Sequence, residues 1–424
     1  MSQEIIYLSL IFGLLVIPRA LQRFKIPAPL TCLLFGIIAM LFFSDRTHDS
    51  LLMWLATFGI SSLFLFAGLE VDLHALRRGL WPLLTHLLIR TLTLAGVTWL
   101  GWHYGADYGV SWQAAALLAL ALLTPSTGFI IDTLGRLGLD EEEQFWVTSK
   151  AIAGELLALV ALFVVLQSSD REQMMVASAI LVAMLIGLPL LFVALGRWVV
   201  PQAPGSEFSL LVMVGLIAAF ITYKLGVYYL VGAFIAGLVA RLLRQRMPKL
   251  ASHENLHAVR LFATFFVPFY FFYAGTKVPS DALSWEALGL GILITLVVLP
   301  LRVGVVWLQR RLMFGEDFRS SMRVSLALAP TLIFTLVLAG ILRDRFSIPD
   351  VLFGALLLYA ALNTLLPSLV FRTPFDVDPL IADEQLALPP PSAPTPTGAS
   401  ASVVPVAAEA SSSDPIAESP PART

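Results

Sequence analysis

Apolar runs long enough to cross a bilayer follow one another from residue 4 to residue 371, and nothing else in the chain constrains its fold as tightly. A helix needs about 20 predominantly apolar residues to span the hydrocarbon core. No water is available there, so a spanning segment must satisfy its backbone groups as a helix or within a closed barrel. The runs are of helix length, which predicts an all-α polytopic membrane protein. Charge content agrees: 13% of the 424 residues are Asp, Glu, Lys or Arg, about half the share in a soluble domain.

Thirteen spans are expected, near 4–18, 27–43, 51–69, 79–102, 112–132, 146–167, 174–196, 208–223, 227–243, 260–276, 285–308, 324–342 and 349–371. Only "YKLGVY" separates the eighth from the ninth, so twelve is the competing count. Loop charge favours thirteen. With the N-terminus outside, the inner side collects most of the Lys and Arg, from Arg19, Arg23 and Lys25 to Arg319, Arg323 and Arg372. The outer loops keep Arg46, Arg171, Lys224, Lys277, Arg343 and Arg345. That asymmetry is the positive-inside rule, and an even count would scramble it. The expected protein is N-out and C-in, in a bacterial inner (plasma) membrane. The first run lacks a basic n-region and a small-residue cleavage site, so it reads as a retained helix.

Composition shifts after Phe375. The segment 376–424 is rich in Pro, Ala and Ser and offers too little apolar surface to offset its ordering entropy. The expected organisation is a membrane domain over 1–375 and a disordered cytoplasmic tail over 376–424.

Two spans carry a proline beside hydroxyl residues at mid-depth: "LALLTPSTGFIID", with Thr124, Pro125, Ser126 and Thr127, and "SLALAPTLIFTLV", with Pro330 and Thr331. Proline removes a helix hydrogen bond and crowds the preceding turn. The freed groups are tolerated at membrane depth only where protein or a polar cavity meets them. One such proline reads most simply as a kink. The pair says more, because the two lie seven spans apart, an odd offset that inverts one half relative to the other. Each break follows a span with a buried arginine, Arg90 or Arg302, and precedes a span with a polar group at mid-helix, Glu155 or Asn363. Corresponding interrupted helices in inverted halves point to the binding site of a secondary transporter.

Glu155 lies in "KAIAGELLALVALFVVL", where a charged side chain at mid-membrane costs roughly 2.5–3.5 kcal/mol. Two readings stand. One is a structural ion pair with Arg302, Arg90 or Lys150, Lys150 otherwise reaching along its stem to the inner interface. The other is a carboxylate that holds either a proton or a monovalent cation, with the oxygens of Thr124, Ser126 and Thr127 completing a shell suited to a hard cation. Competing chemistry is not visible. There is no Walker-type loop, no zinc-spaced His/Cys cluster and no GxSxG elbow. Neither an enzyme activity, a cofactor, a resident metal nor a nucleic-acid partner is expected. His86 is the one histidine at membrane depth and reads as a satisfied core residue. Glu70 and Asp72 read as a solvated helix end.

Together these motifs resemble the monovalent cation:proton antiporter-2 family, with its sodium/proton exchanger-like fold, over about residues 5–372. "FLFAGLEVDLHALR" is similar to the family's Gly-Leu-Glu segment, "YYLVGAFIAGLVA" to its Gly-Ala-Phe-x-Ala-Gly segment, and "FFVPFYFFYAGTKV" to its Phe-Phe-x-x-x-Gly segment, with Tyr270 in place of the first Phe. The resemblance implies inverted repeats with two crossed broken helices, exchange of Na+ or K+ for protons, an elevator-type cycle and a homodimer. It places the ion-carrying carboxylate on Glu155 and the basic residue before the second crossed helix on Arg302. The chain departs from the pattern in having Gly154 and Glu155 where Asp after a polar residue is usual. One acid at the core implies one-for-one exchange. The competing functions are a potassium efflux channel-like protein and a membrane sensor that does not transport.

Overall fold

The computed structural model describes residues 3–371 apart from 25, 43–49, 72–78, 136 and 246–251. Asp72 and the segment 376–424 lie outside the described residues. The order is α1 (Gln3–Gln22), α2 (Ala28–Phe42), α3 (Ser50–Glu70), α4 (Leu80–Gly105), α5 (Trp112–Leu123), α6 (Thr127–Leu134), α7 (Glu141–Gln167) and α8 (Arg171–Ala194). It continues through α9 (Glu207–Lys224), α10 (Tyr229–Leu242), α11 (His253–Thr276), α12 (Trp285–Phe314), α13 (Phe318–Ala327), α14 (Leu332–Phe346) and α15 (Asp350–Val370). Among the described residues there is no strand.

Nine of the described helical segments are long and apolar enough to cross a membrane, with α5 and the start of α6 passing as one. A tenth is the pair α13–α14, bent by 46° at its break. The apolar helices at the positions of α1, α2 and α10 are shorter. The described residues therefore leave the expected count of thirteen open.

Helices α2, α3, α10 and α11 pack backbone to backbone, and glycines allow it. A Cβ on Gly68 of α3 would lie 2.3 Å from the Phe234 carbonyl oxygen of α10, and one on Gly237 would lie 2.1 Å from that of Leu65. Gly36 and Gly275 form the matching close approach between α2 and α11. Small residues at such crossings provide the van der Waals contact that holds helices together where water supplies no hydrophobic drive. Gly68, Gly237 and Gly275 belong to the three segments that carried the family resemblance, so those motifs are packing signatures.

Helices α4–α7 and α12–α15 form the two interrupted halves. The aromatic rings of Phe64 on α3 and Phe334 on α14, 6.3 Å apart, link them to the glycine-packed helices. The start of α7 is fixed by a reciprocal cap: the Glu143 amide donates to the Asp140 carboxylate at 2.7 Å, and the Asp140 amide donates to Glu143 at 3.2 Å. Ser320 and Arg323 on α13 reach the same Glu143 at 2.8 Å and 3.3 Å, tying the two halves together at one end.

Candidate functional site

Helix α5 stops at Leu123 because Thr124 is extended (φ −80°, ψ 124°), the conformation favoured before a proline. Helix α6 restarts at Thr127. In the other half α13 ends at Ala327 and α14 restarts at Leu332, around Pro330. The two breaks repair one another. The Ser126 amide donates to the Pro330 carbonyl at 2.9 Å. The Ser126 hydroxyl oxygen accepts from the amides of Ile333 at 2.9 Å and Phe334 at 3.4 Å. The Thr335 hydroxyl donates to the Ala121 carbonyl at 2.7 Å. Groups orphaned by one proline are thus met by the opposite helix, as the absence of water requires.

The arginines serve the carbonyl ends of the same breaks. Arg90 on α4 donates to the Leu123 carbonyl at 2.6 Å. Arg302 on α12 donates to the carbonyls of Ala329 at 2.9 Å and Leu328 at 3.1 Å, and to the Tyr359 hydroxyl at 3.2 Å. Tyr359 in turn donates to the Leu122 carbonyl at 2.5 Å. A helix C-terminus carries partial negative charge, so each guanidinium sits where a half-helix ends.

Lys150 is fully buried and donates to Gln309 Oε1 at 3.0 Å, an oxygen that also lies 3.1 Å from His86 Nδ1. Its ammonium does not reach for the interface, as sequence reasoning allowed. None of Arg90, Arg302 and Lys150 forms an ion pair with Glu155 in this structure. The physical reason is competition: the carbonyl ends of the half-helices hold the two guanidiniums and the Gln309 oxygen holds the ammonium. The Arg90 guanidinium lies across Gly154, the residue before Glu155, where a Cβ would stand 3.1 Å from Cζ. The departure to glycine at 154 makes room for that side chain.

Glu155 is 3% exposed, and its carboxyl faces the hydroxyl and amide of Thr127, the first residue of α6. Both residues line a cavity of about 10 Å³ with Leu63, Phe64, Ala67, Ser126, Gly128, Ile333 and Phe334. That is room for about one water-sized particle. Neither Glu155 Oε2 nor the Thr127 hydroxyl makes a hydrogen bond. A buried carboxylate left so is costly, and two occupants relieve it: a proton on the oxygen, or a cation beside it. The α6 N-terminus favours the anionic form at the same place.

The other residues singled out from sequence fall into two groups. Ser126 lines the cavity, but its oxygen is engaged by α14; Thr124 and Pro125 form the break itself. Thr331 and Asn363 in the second half are fully buried, and the Thr331 hydroxyl and both polar atoms of the Asn363 amide have no hydrogen-bond partner. Sequence reasoning missed Tyr359, Thr335 and Gln309. Tyr359 lies one turn before Asn363 and was the one with a visible signal, a phenol on the apolar helix that follows the second break.

The family model described as sodium/hydrogen exchanger, transmembrane, matches residues 7–376. A protein of Methanocaldococcus jannaschii described as probable Na(+)/H(+) antiporter 3 is 26% identical over 379 residues, covering 87% of this chain and 94% of that protein. Two solved structures of the sodium proton antiporter MjNhaP1 from the same organism share the fold. The structure at pH 8 has a TM-score of 0.64 at 15% identity, covering 88% of this chain and 97% of that one. The electron-microscopy structure has a TM-score of 0.59 at 16% identity, covering 88% and 96%.

Proposed function

We propose, from the premise that this chain belongs to the transmembrane sodium/hydrogen exchanger family, that it exchanges a monovalent cation for protons with Glu155 as the group that carries each in turn. The observation that carries this reading is the free Glu155 Oε2 in its cavity at the crossing. A carboxylate oxygen with no competing hydrogen bond takes a proton or a cation, and steric and charge exclusion prevent both at once. That exclusivity is the coupling.

Thr127 is the neighbouring ligand, since its hydroxyl is uncommitted. Ser126 and the two prolines keep the crossing open, and Arg90 and Arg302 neutralise its carbonyl ends. With Asn363 in the position of Glu155 in the second half, one exchangeable proton serves each cation, Na+ or K+. The glycine-packed helices are the static part and the interrupted halves the moving part of an elevator-type cycle in a homodimer. The N-terminus is outside and the C-terminus is in the cytoplasm of a bacterial inner membrane.

The test is proteoliposomes with an internal pH dye, challenged with Na+, K+ or Li+. Wild type moves protons against cation. Glu155→Gln keeps shape and hydrogen bonding but cannot take up a proton, and its exchange is expected to vanish while the protein stays folded in detergent. Near wild-type exchange in that variant removes Glu155 from the mechanism. Cation flux without proton movement would make the protein a channel, and no flux at all a sensor.

A further inference from the structure

A second cavity flanks the crossing and shares no lining residue with the Glu155 cavity. Arg90, Arg302, His86 and Ser325 line it, in the seam between α4 and α12, and its volume is about 50 Å³. That is well above the roughly 10–15 Å³ one water-sized particle needs.

Its charge does not balance. The two guanidiniums repel one another. Each is bonded to carbonyls at the end of a half-helix, and such an end returns only about half an elementary charge. Two full positive charges against two half negative ones leave about one positive charge in the seam. No carboxylate is among the lining residues, and Lys150, bonded to the Gln309 oxygen that His86 also contacts, adds to the excess. Glu155 lines the other cavity. His86 supplies the second observation: it is 3% exposed, and its Nε2 has no hydrogen-bond partner. With Nδ1–H committed to Gln309, the ring's Nε2 is a free acceptor, able to take a hydrogen bond from a water that accompanies the anion in the cavity.

We propose that this cavity binds one monovalent anion, a halide or the carboxylate of a fatty acid, as the counter-ion of Arg90 and Arg302. The fatty acid is the second source because α4 and α12 also present exposed Leu88, Leu92, Leu296 and Val297, an apolar surface that acyl chains cover. Nothing in this inference depends on transport, so its failure and that of the exchange reading are separately visible.

The experiment uses the purified, delipidated full chain in detergent. Melting is followed in sodium gluconate, in gluconate with increasing sodium bromide, and in gluconate with oleate. Bromide is expected to raise Tm by about 1–2 °C at about five times its dissociation constant, and crystals grown with bromide should show an anomalous peak between Arg90 and Arg302. Ser325→Asp places a fixed carboxylate in the cavity and is expected to melt the same with and without bromide. Stabilisation by oleate that bromide no longer adds to assigns the site to a fatty acid. Identical melts in all three media, or equal bromide stabilisation of wild type and Ser325→Asp, overturns the proposal.

Discussion

Ser126 and Thr127 are adjacent hydroxyls with opposite commitments, and substituting each in turn tests which oxygens build the crossing. Ser126→Ala leaves the Ile333 amide, now bonded at 2.9 Å, and the more weakly held Phe334 amide without an acceptor. Loss of a helix N-cap costs about 0.5–2 kcal/mol, and a buried orphan donor about 1–3 kcal/mol. No water replaces the oxygen at this depth, so a value of about 2 kcal/mol is expected. At roughly 1–2 °C per kcal/mol for a chain of this size, the melting temperature in detergent should fall by about 2–4 °C. Ser126→Thr retains the acceptor and should melt near wild type. Thr127→Val removes a hydroxyl whose one polar neighbour is the Glu155 carboxyl it faces, so its melt should change less than that of Ser126→Ala while the cation KM of exchange rises. The reasoning fails if Ser126→Ala melts like wild type and raises the cation KM instead, because Ser126 would then be an ion ligand and not a cap.

Three further outcomes follow from the packing. Tyr359→Phe removes the hydroxyl shared by Leu122 and Arg302, and a loss of about 1–3 kcal/mol in stability is expected, read as a lower melting temperature; an unchanged melt would make that bridge dispensable. Gly237→Ala puts a Cβ 2.1 Å from the Leu65 carbonyl oxygen, so the yield of monodisperse protein in size exclusion should collapse; normal yield and melting would refute the close α3–α10 approach. Deleting residues 387–424 should leave both exchange and melting intact, since that composition offers no core to pack; an assembled but inactive truncation would make the tail regulatory.

What was legible in the sequence was whatever a membrane makes expensive. Prolines at Pro125 and Pro330, arginines at Arg90 and Arg302, and Glu155 each break the rules of an apolar helix, and their repeated order marks the two breaks in the sequence itself. Partnerships were not legible. Which donor meets which acceptor depends on how two helices face one another, and spacing along one helix does not carry that. Arg302 was expected beside Glu155 because opposite charges attract, but it holds Ala329 and Leu328, whose carbonyls α13 had already left unpaired. Lys150 was expected either to pair with Glu155 or to reach the interface along its stem, but Gln309, far away in sequence, holds it elsewhere in the interior. Ser126 and Thr127 could not be told apart, since one residue along a restarting helix turns the side chain by about 100° and decides whether it meets α14 or the cavity.

The division of labour between the charges has a reason of its own. A guanidinium keeps its proton under all relevant conditions, so the caps on Leu123, Leu328 and Ala329 persist whatever the pH on either side of the membrane. A histidine in either place would let the crossing loosen whenever it lost its proton. Permanent charge therefore goes to the backbone ends, which must hold in every state. The titratable group, Glu155, is the one left without a hydrogen-bond partner on Oε2, and on the proposed reading it has to be. A carboxylate spent on Arg90 or Arg302 would have to surrender an ion pair at each turnover, at about 3–5 kcal/mol for a buried charge left unpaired. By bonding the arginines to carbonyls, the fold leaves Glu155 free to exchange one occupant for another without dismantling the crossing that holds it.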